Sequence, residues 1–122
     1  MPEEPELVVV AERAHRSETG SRAVFKALAR SYLYARTSED APLLHVADLG
    51  ERGRWASVFS TRERLAATIG ECDAIGMPGM DFLEFVPTGV GLVLDPRDPH
   101  ALPLPPHLLD QAAAALGVTR ST

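Results

Sequence analysis

This 122-residue chain has one cysteine, one tryptophan, two tyrosines and four phenylalanines, and Lys26 is its single lysine beside eleven scattered arginines. A lone Cys72 cannot form an internal disulfide or supply a cysteine-based zinc set, so the expected setting is a reducing compartment. Lying in an apolar stretch, it reads as a buried, inert thiol. The net charge of −5 excludes the concentrated basic face that nucleic acid requires. Arg52, Arg54, Arg62 and Arg64 lie close in sequence, but a solvated turn and helix face explain them. No apolar run approaches the ~18 residues that would span a bilayer, and no basic segment followed by an apolar one opens the chain. No membrane association is therefore expected, and the expected address is the cytoplasm. Ser57, Ser60 and Thr61 lack the Gly-x-Ser-x-Gly setting of a nucleophile elbow. Gly76-Met77-Pro78-Gly79 and Gly89-Val90-Gly91 lack the lysine and hydroxyl of a phosphate loop. No catalytic residue, cofactor or enzymatic activity is expected.

What remains is an ordinary globular composition, 45% hydrophobic and 24% charged, at a length suited to one domain over 1–122. Residues 1–5 and 118–122 are expected to be flexible. The organising stretch is Trp55 to Gly70, WASVFSTRERLAATIG. Its first six residues alternate as a half-buried strand does. Ser60 and Glu63 then stand at capping-box spacing and predict a helix beginning at that corner. Leu65 and Ile69 form its buried stripe, and Gly70 can end it.

Elsewhere, Glu6–Glu12 (ELVVVAE) reads as a β-branched strand. Val24, Phe25, Leu28, Tyr32 and Leu33 follow the helical period and predict one long helix over Ser21–Arg36. Pro42–Asp48 reads as a strand, joined through a turn at Leu49–Gly53 to the Trp55 strand as a hairpin. On that strand His45 and Asp48 point to opposite faces, a poor acid–base pair. Cys72–Gly76 predicts a short strand and Asp81–Val86 a short helix stopped at Pro87. Val90–Leu94 is apolar throughout, as a central strand covered on both faces would be. Ala101–Leu104 is extended, Pro105 or Pro106 opens a last helix, and Gly117 ends it. The fold class is α+β: a mixed sheet of about four or five strands packed against an N-terminal and a C-terminal helix, with one strand-to-helix corner at Ser60.

Three pieces in order carry a family resemblance. They are Val58-Phe59-Ser60-Thr61-Arg62-Glu63-Arg64-Leu65, then Gly91-Leu92-Val93-Leu94-Asp95-Pro96 with His100 beyond, then Leu104-Pro105-Pro106 with Leu108 and Leu109. Over Leu43–Leu116 the chain resembles the SseB-like family, the N-terminal domain of enhanced serine sensitivity proteins, including its short actinobacterial single-domain relatives. In that family a Phe-Thr-Ser turn leads to a Glu-Arg-Leu helix, and a later strand ends in Leu-Asn-Pro. Here Ser60-Thr61 is reversed and Asp95 replaces the asparagine, and both substitutes do equivalent turn chemistry. The resemblance implies an α+β domain without established catalytic residues, in a family some of whose members are discussed as secretion-associated or regulatory interaction domains.

Two functional readings follow. The first is a non-enzymatic interaction or regulatory module that uses Met77, Met80, Phe82 and Phe85 as an adaptable apolar surface. It would serve a protein partner or self-association, the latter as a homodimer. The alternative is a small metal-binding protein or enzyme centred on the Asp95–His107 loop, with Asp95, Asp98, His100 and His107 as donors.

Overall fold

A computed structural model of the chain describes residues 5–38, 41–44 and 46–119. His45 lies outside the described residues, as do 1–4 and 120–122 of the two ends expected to be flexible. The elements are α1 (Glu6–His15), α2 (Ser21–Arg30), β1 (Tyr32–Ser38), β2 (Ala41–Leu44), β3 (Ala47–Asp48), a 3-10 turn (Gly50–Arg52), β4 (Arg54–Val58), α3 (Arg62–Ile69), β5 (Ala74–Pro78), α4 (Gly79–Phe85), β6 (Val90–Leu94), β7 (Leu102–Leu104) and α5 (Pro106–Leu116). This is an α+β fold, as the sequence pattern leads one to expect.

Two expectations at the N-terminal end fail. Glu6–Glu12 is not a strand but most of α1. Its valines suggest a pleated surface, yet Leu7, Val8 and Ala11 are the buried residues, which is a helical spacing. Glu6 in the first turn and Arg13 and His15 in the last complement the helix dipole. The long helix, in turn, stops at Arg30. Ser31 turns to extended backbone and its hydroxyl donates to the Ala27 carbonyl at 2.6 Å. Leu33 and Ala35 then face the core at a period of two, while Tyr32 and Arg36 are exposed. No glycine or proline marks this break, and the residues that fit a helix also fit an alternating strand.

The strands form two sheets, β2-β1-β5 and β3-β4-β6-β7. They are joined where Tyr34 and Phe59 exchange backbone hydrogen bonds of 2.9 and 2.8 Å. The Pro42–Asp48 strand is not continuous: Ala41–Leu44 pairs with β1 in the first sheet and only β3 forms the expected hairpin with β4, while β4 and β6 run parallel, with Arg54 opposite Val90 and Val58 opposite Leu94. In the second sheet Ala56, Val58, Leu92, Leu94 and Leu104 point into the core against α2, α4 and α5. Alternation then sends Ala47, Trp55, Ser57, Gly91, Val93 and Pro103 to the other face, in register across the four strands. β6 is central as predicted, but only one of its faces meets the core.

α5 opens with Pro106 at its first position and ends at Gly117, whose φ of 70° is left-handed. The Val118 N–H donates to the Ala113 carbonyl at 2.8 Å, completing a Schellman turn and fixing Val118 against the core. Gly79 opens α4 pressed on α2: a Cβ there would lie 1.7 Å from the Leu28 carbonyl oxygen.

Candidate functional site

The strand-to-helix corner is present, but it is held differently from the capping box. Thr61, not Ser60, caps α3: its hydroxyl accepts from the Arg64 N–H at 3.0 Å. Glu63 is exposed on the first turn. Ser60 is released for another task. Because β4 and β6 are parallel and in register, their ends reach the same level, and Asp95 follows Leu94 directly beside the corner. The Asp95 N–H donates to the Val58 carbonyl at 2.8 Å, continuing the ladder by one bond. Its backbone turns with φ of 45°, a conformation that Asp tolerates better than most residues.

The Asp95 carboxylate is fully buried and fully engaged. Oδ1 accepts the Ser60 N–H at 2.9 Å, and Oδ2 accepts the Ser60 hydroxyl at 2.7 Å. The His100 ring bonds the same Oδ2 through Nε2 at 2.7 Å, and an ionised carboxylate makes that nitrogen the donor. Arg64 closes the group from the helix. Its Nη1 donates to the Ser60 hydroxyl oxygen at 3.1 Å, and its Nε stands 4.0 Å from Asp95 and 3.6 Å from Asp98. The hydroxyl and the imidazole thus both spend themselves on one oxygen of Asp95, and the resulting geometry is a knot between two strand ends. A charged hollow of about 540 Å³ lies beside it, lined by Glu12, Arg16, Arg64, Asp98, Pro99 and His100.

The metal alternative is partly assembled. Asp95, Asp98 and His100 each offer a ligand atom within 4.8 Å of the others. His107 is exposed on the first turn of α5 and is not in that group. A cation there would compete with Arg64 for the same carboxylates and with the hydrogen bonds already on Asp95.

The four residues of the expected interaction surface are dispersed in depth. Phe82 is 1% exposed and edge-on to Phe85, with ring centres 6.3 Å apart. Met77 and Phe85 are half-buried against the core, and Met80 is 40% exposed. The accessible part of that surface is Met80 with edges of Met77 and Phe85. The four neighbouring arginines also separate. Arg64 joins the knot, Arg62 lies 5.2 Å from the centre of the Tyr34 ring, Arg54 starts β4 in solvent, and Arg52 turns to the outer face of the second sheet.

That outer face holds a groove that residue patterns did not single out. It measures about 530 Å³ and is lined by Ala47, Leu49, Arg52, Trp55, Ser57, Val93, Pro96 and Pro103. A smaller hollow of about 80 Å³ shares Ala47, Trp55 and Ser57 and adds Arg36 and Ile69. The indole of Trp55 is the common wall. It lies across Gly91, where a Cβ would come within 2.7 Å of the ring, and its Nε1–H donates to the Arg52 carbonyl at 2.6 Å. Leu49 is 50% exposed at the rim. Alternation along β4 and β6 carries the signal for this face, but it becomes readable only once the two strands are known to be neighbours.

Compared with known families, residues 6–111 match the SseB protein N-terminal domain. The chain belongs to this family. No curated protein and no solved structure matches it. The match reaches back through α1, α2 and β1, beyond the Leu43–Leu116 stretch over which the resemblance is legible. In this SseB domain the first two motif pieces, the Phe59-Ser60-Thr61 turn and the Leu94-Asp95-Pro96 turn, are the two halves of the knot. Among the described residues, no helix is long and apolar enough to cross a membrane.

Proposed function

We propose that this SseB domain is a non-enzymatic interaction module that works in the cytoplasm and docks a protein partner on the outer face of its second sheet. The observation that carries this reading is the open groove around Trp55. A tryptophan held at its ring by Gly91 and at its nitrogen by a carbonyl is a rigid apolar platform with little side-chain entropy left to lose. Leu49, Val93 and Pro103 extend it. Of the polar residues that suggest chemistry, Ser60, Asp95 and His100 are occupied with one another in the knot. Self-association belongs to the same class of function, with Met80 as its exposed apolar side chain.

The test is recovery of the tagged chain from its native cells, comparing wild type with Val93→Asp and with Asp98→Asn, all three checked for folding by circular dichroism. A stoichiometric protein companion lost only in Val93→Asp is the expected result. Loss in Asp98→Asn with retention in Val93→Asp would move the function to the charged hollow.

A further inference from the structure

The two hollows that share Trp55 differ in one respect from the rest of this acidic chain. Arg36 lines the small one and Arg52 lines the large one, and no acidic side chain lines either among the described residues. Both arginines are exposed, and neither has an ion-pair partner among the described residues. Of the neighbouring arginines, Arg62 lies on Tyr34, Arg64 is in the knot, and Arg54 is exposed but alternation along β4 turns it away from the face that carries Trp55. The groove is therefore an apolar platform with two guanidinium groups beside it that have no ion-pair partner among the described residues, on a protein whose net charge is −5. Burying apolar side chains on Trp55 would supply affinity, and the flanking charges would choose the partner and its register.

We propose that the occupant is an acidic peptide segment, with Asp or Glu on both sides of a short apolar stretch. Its apolar residues would lie against Trp55, Val93 and Pro103, and its carboxylates would meet Arg36 and Arg52. This inference rests on the docking reading given above and specifies its partner. A second copy fits poorly, because apposing two such faces gathers four guanidinium groups. A nucleic acid fits poorly as well, since two arginines on a net acidic protein release few counterions.

Trp55 is the sole tryptophan, so its emission reports on this face without a label. The experiment selects displayed random dodecapeptides on the full chain, with counterselection against Val93→Asp. Synthesised winners are then titrated by Trp55 fluorescence into wild type, Arg36→Glu and Arg52→Glu. The expected winners carry acidic residues on both flanks, and each charge reversal weakens them about tenfold, the size of an exposed pair turned from attraction to repulsion. With each quencher normalised to its effect on free N-acetyltryptophanamide, iodide should also reach Trp55 better than caesium in wild type, and the ratio should fall in the Arg36→Glu/Arg52→Glu double variant.

Neutral or basic winners, acidic winners indifferent to both reversals, or no enrichment over Val93→Asp would overturn the proposal. So would oligouridylate perturbing Trp55 where the peptides do not, or sedimentation showing a dimer whose dissociation exposes Trp55. If a companion protein is lost in Val93→Asp cells while acidic peptides fail, the docking face stands and this partner chemistry falls. If Val93→Asp loses no companion, the docking reading itself falls.

Discussion

The knot at the ends of β4 and β6 and the groove on their outer face use the same two strands in opposite ways. At the knot, one buried carboxylate takes a backbone N–H, a hydroxyl and an imidazole, with an arginine alongside, so its chemistry is consumed internally. On the face, a seated tryptophan stands beside two exposed arginines, and no acidic side chain lines either hollow among the described residues. The residue types that draw the eye, Asp, His and Ser, serve the structure here, while a plain alternating strand leaves an open apolar groove. In this chain the two motif turns bind each other, Ser60 to Asp95.

The largest test of that contrast is at Asp95. Asp95→Ala leaves the Ser60 N–H and hydroxyl and the His100 ring without their acceptor, and should cost about 3 kcal/mol in urea unfolding. Asp95→Asn should cost only about 1 kcal/mol. Its amide oxygen still accepts the Ser60 N–H, and its two N–H groups can be received by the Ser60 oxygen and by the other tautomer of His100. Equal losses in the two variants would mean that the hydrogen bonds do not hold the corner.

On the face the corresponding change is Gly91→Ala. The added methyl must push the Trp55 ring off its seat toward the open groove and also crowds the Leu104 carbonyl oxygen, 3.1 Å away. We expect a stability loss of about 1 kcal/mol, near the low end for overpacking, together with a shift in Trp55 emission and weakened partner binding. A large stability loss with unchanged emission would show that the face is part of the core.

The corner itself separates two capping schemes. Thr61→Ala should cost about 1 kcal/mol through loss of the cap on the Arg64 N–H. Glu63→Ala should stay within about 0.5 kcal/mol. The reverse order would restore the Ser60–Glu63 box.

The smallest effect is expected at Arg16–Glu18, a pair 2.5 Å apart beside the charged hollow. The hydrogen bond from Arg16 holds the Glu18 carboxyl below its usual range, so any stability it adds is complete above the ordinary glutamate range and is lost as pH falls through the lowered one. Solvent screening of this exposed pair makes that contribution too weak to detect. Glu18→Gln should leave the unfolding midpoint unchanged from neutral pH down to about pH 4.

Sequence legibility follows the same division between local and long-range causes. Pro106 and Gly117 bound α5, and Gly50 and Gly53 turn the β3–β4 hairpin, because each acts on its own backbone. The boundary at Ser31 is set by tertiary demand: Leu33 and Ala35 enter the core as β1 pairs with β5, which overrides the local helical period. α1 is misread because three valines outweigh the Leu7, Val8, Ala11 spacing. The loop Asp95–His100 is legible as a polar cluster, but its partner Ser60 is 35 residues away and meets it only through parallel pairing. The Trp55 groove is hidden for the same reason, since nothing local to Gly91 shows that Trp55 lies over it.

The most direct measurement places a photo-crosslinking amino acid in living cells at Ser57, on the open face, and at Asp98, beside the knot. A discrete protein adduct from Ser57 and none from Asp98 is the expected result. An adduct from Asp98 with none from Ser57 would contradict the division of labour between the two regions.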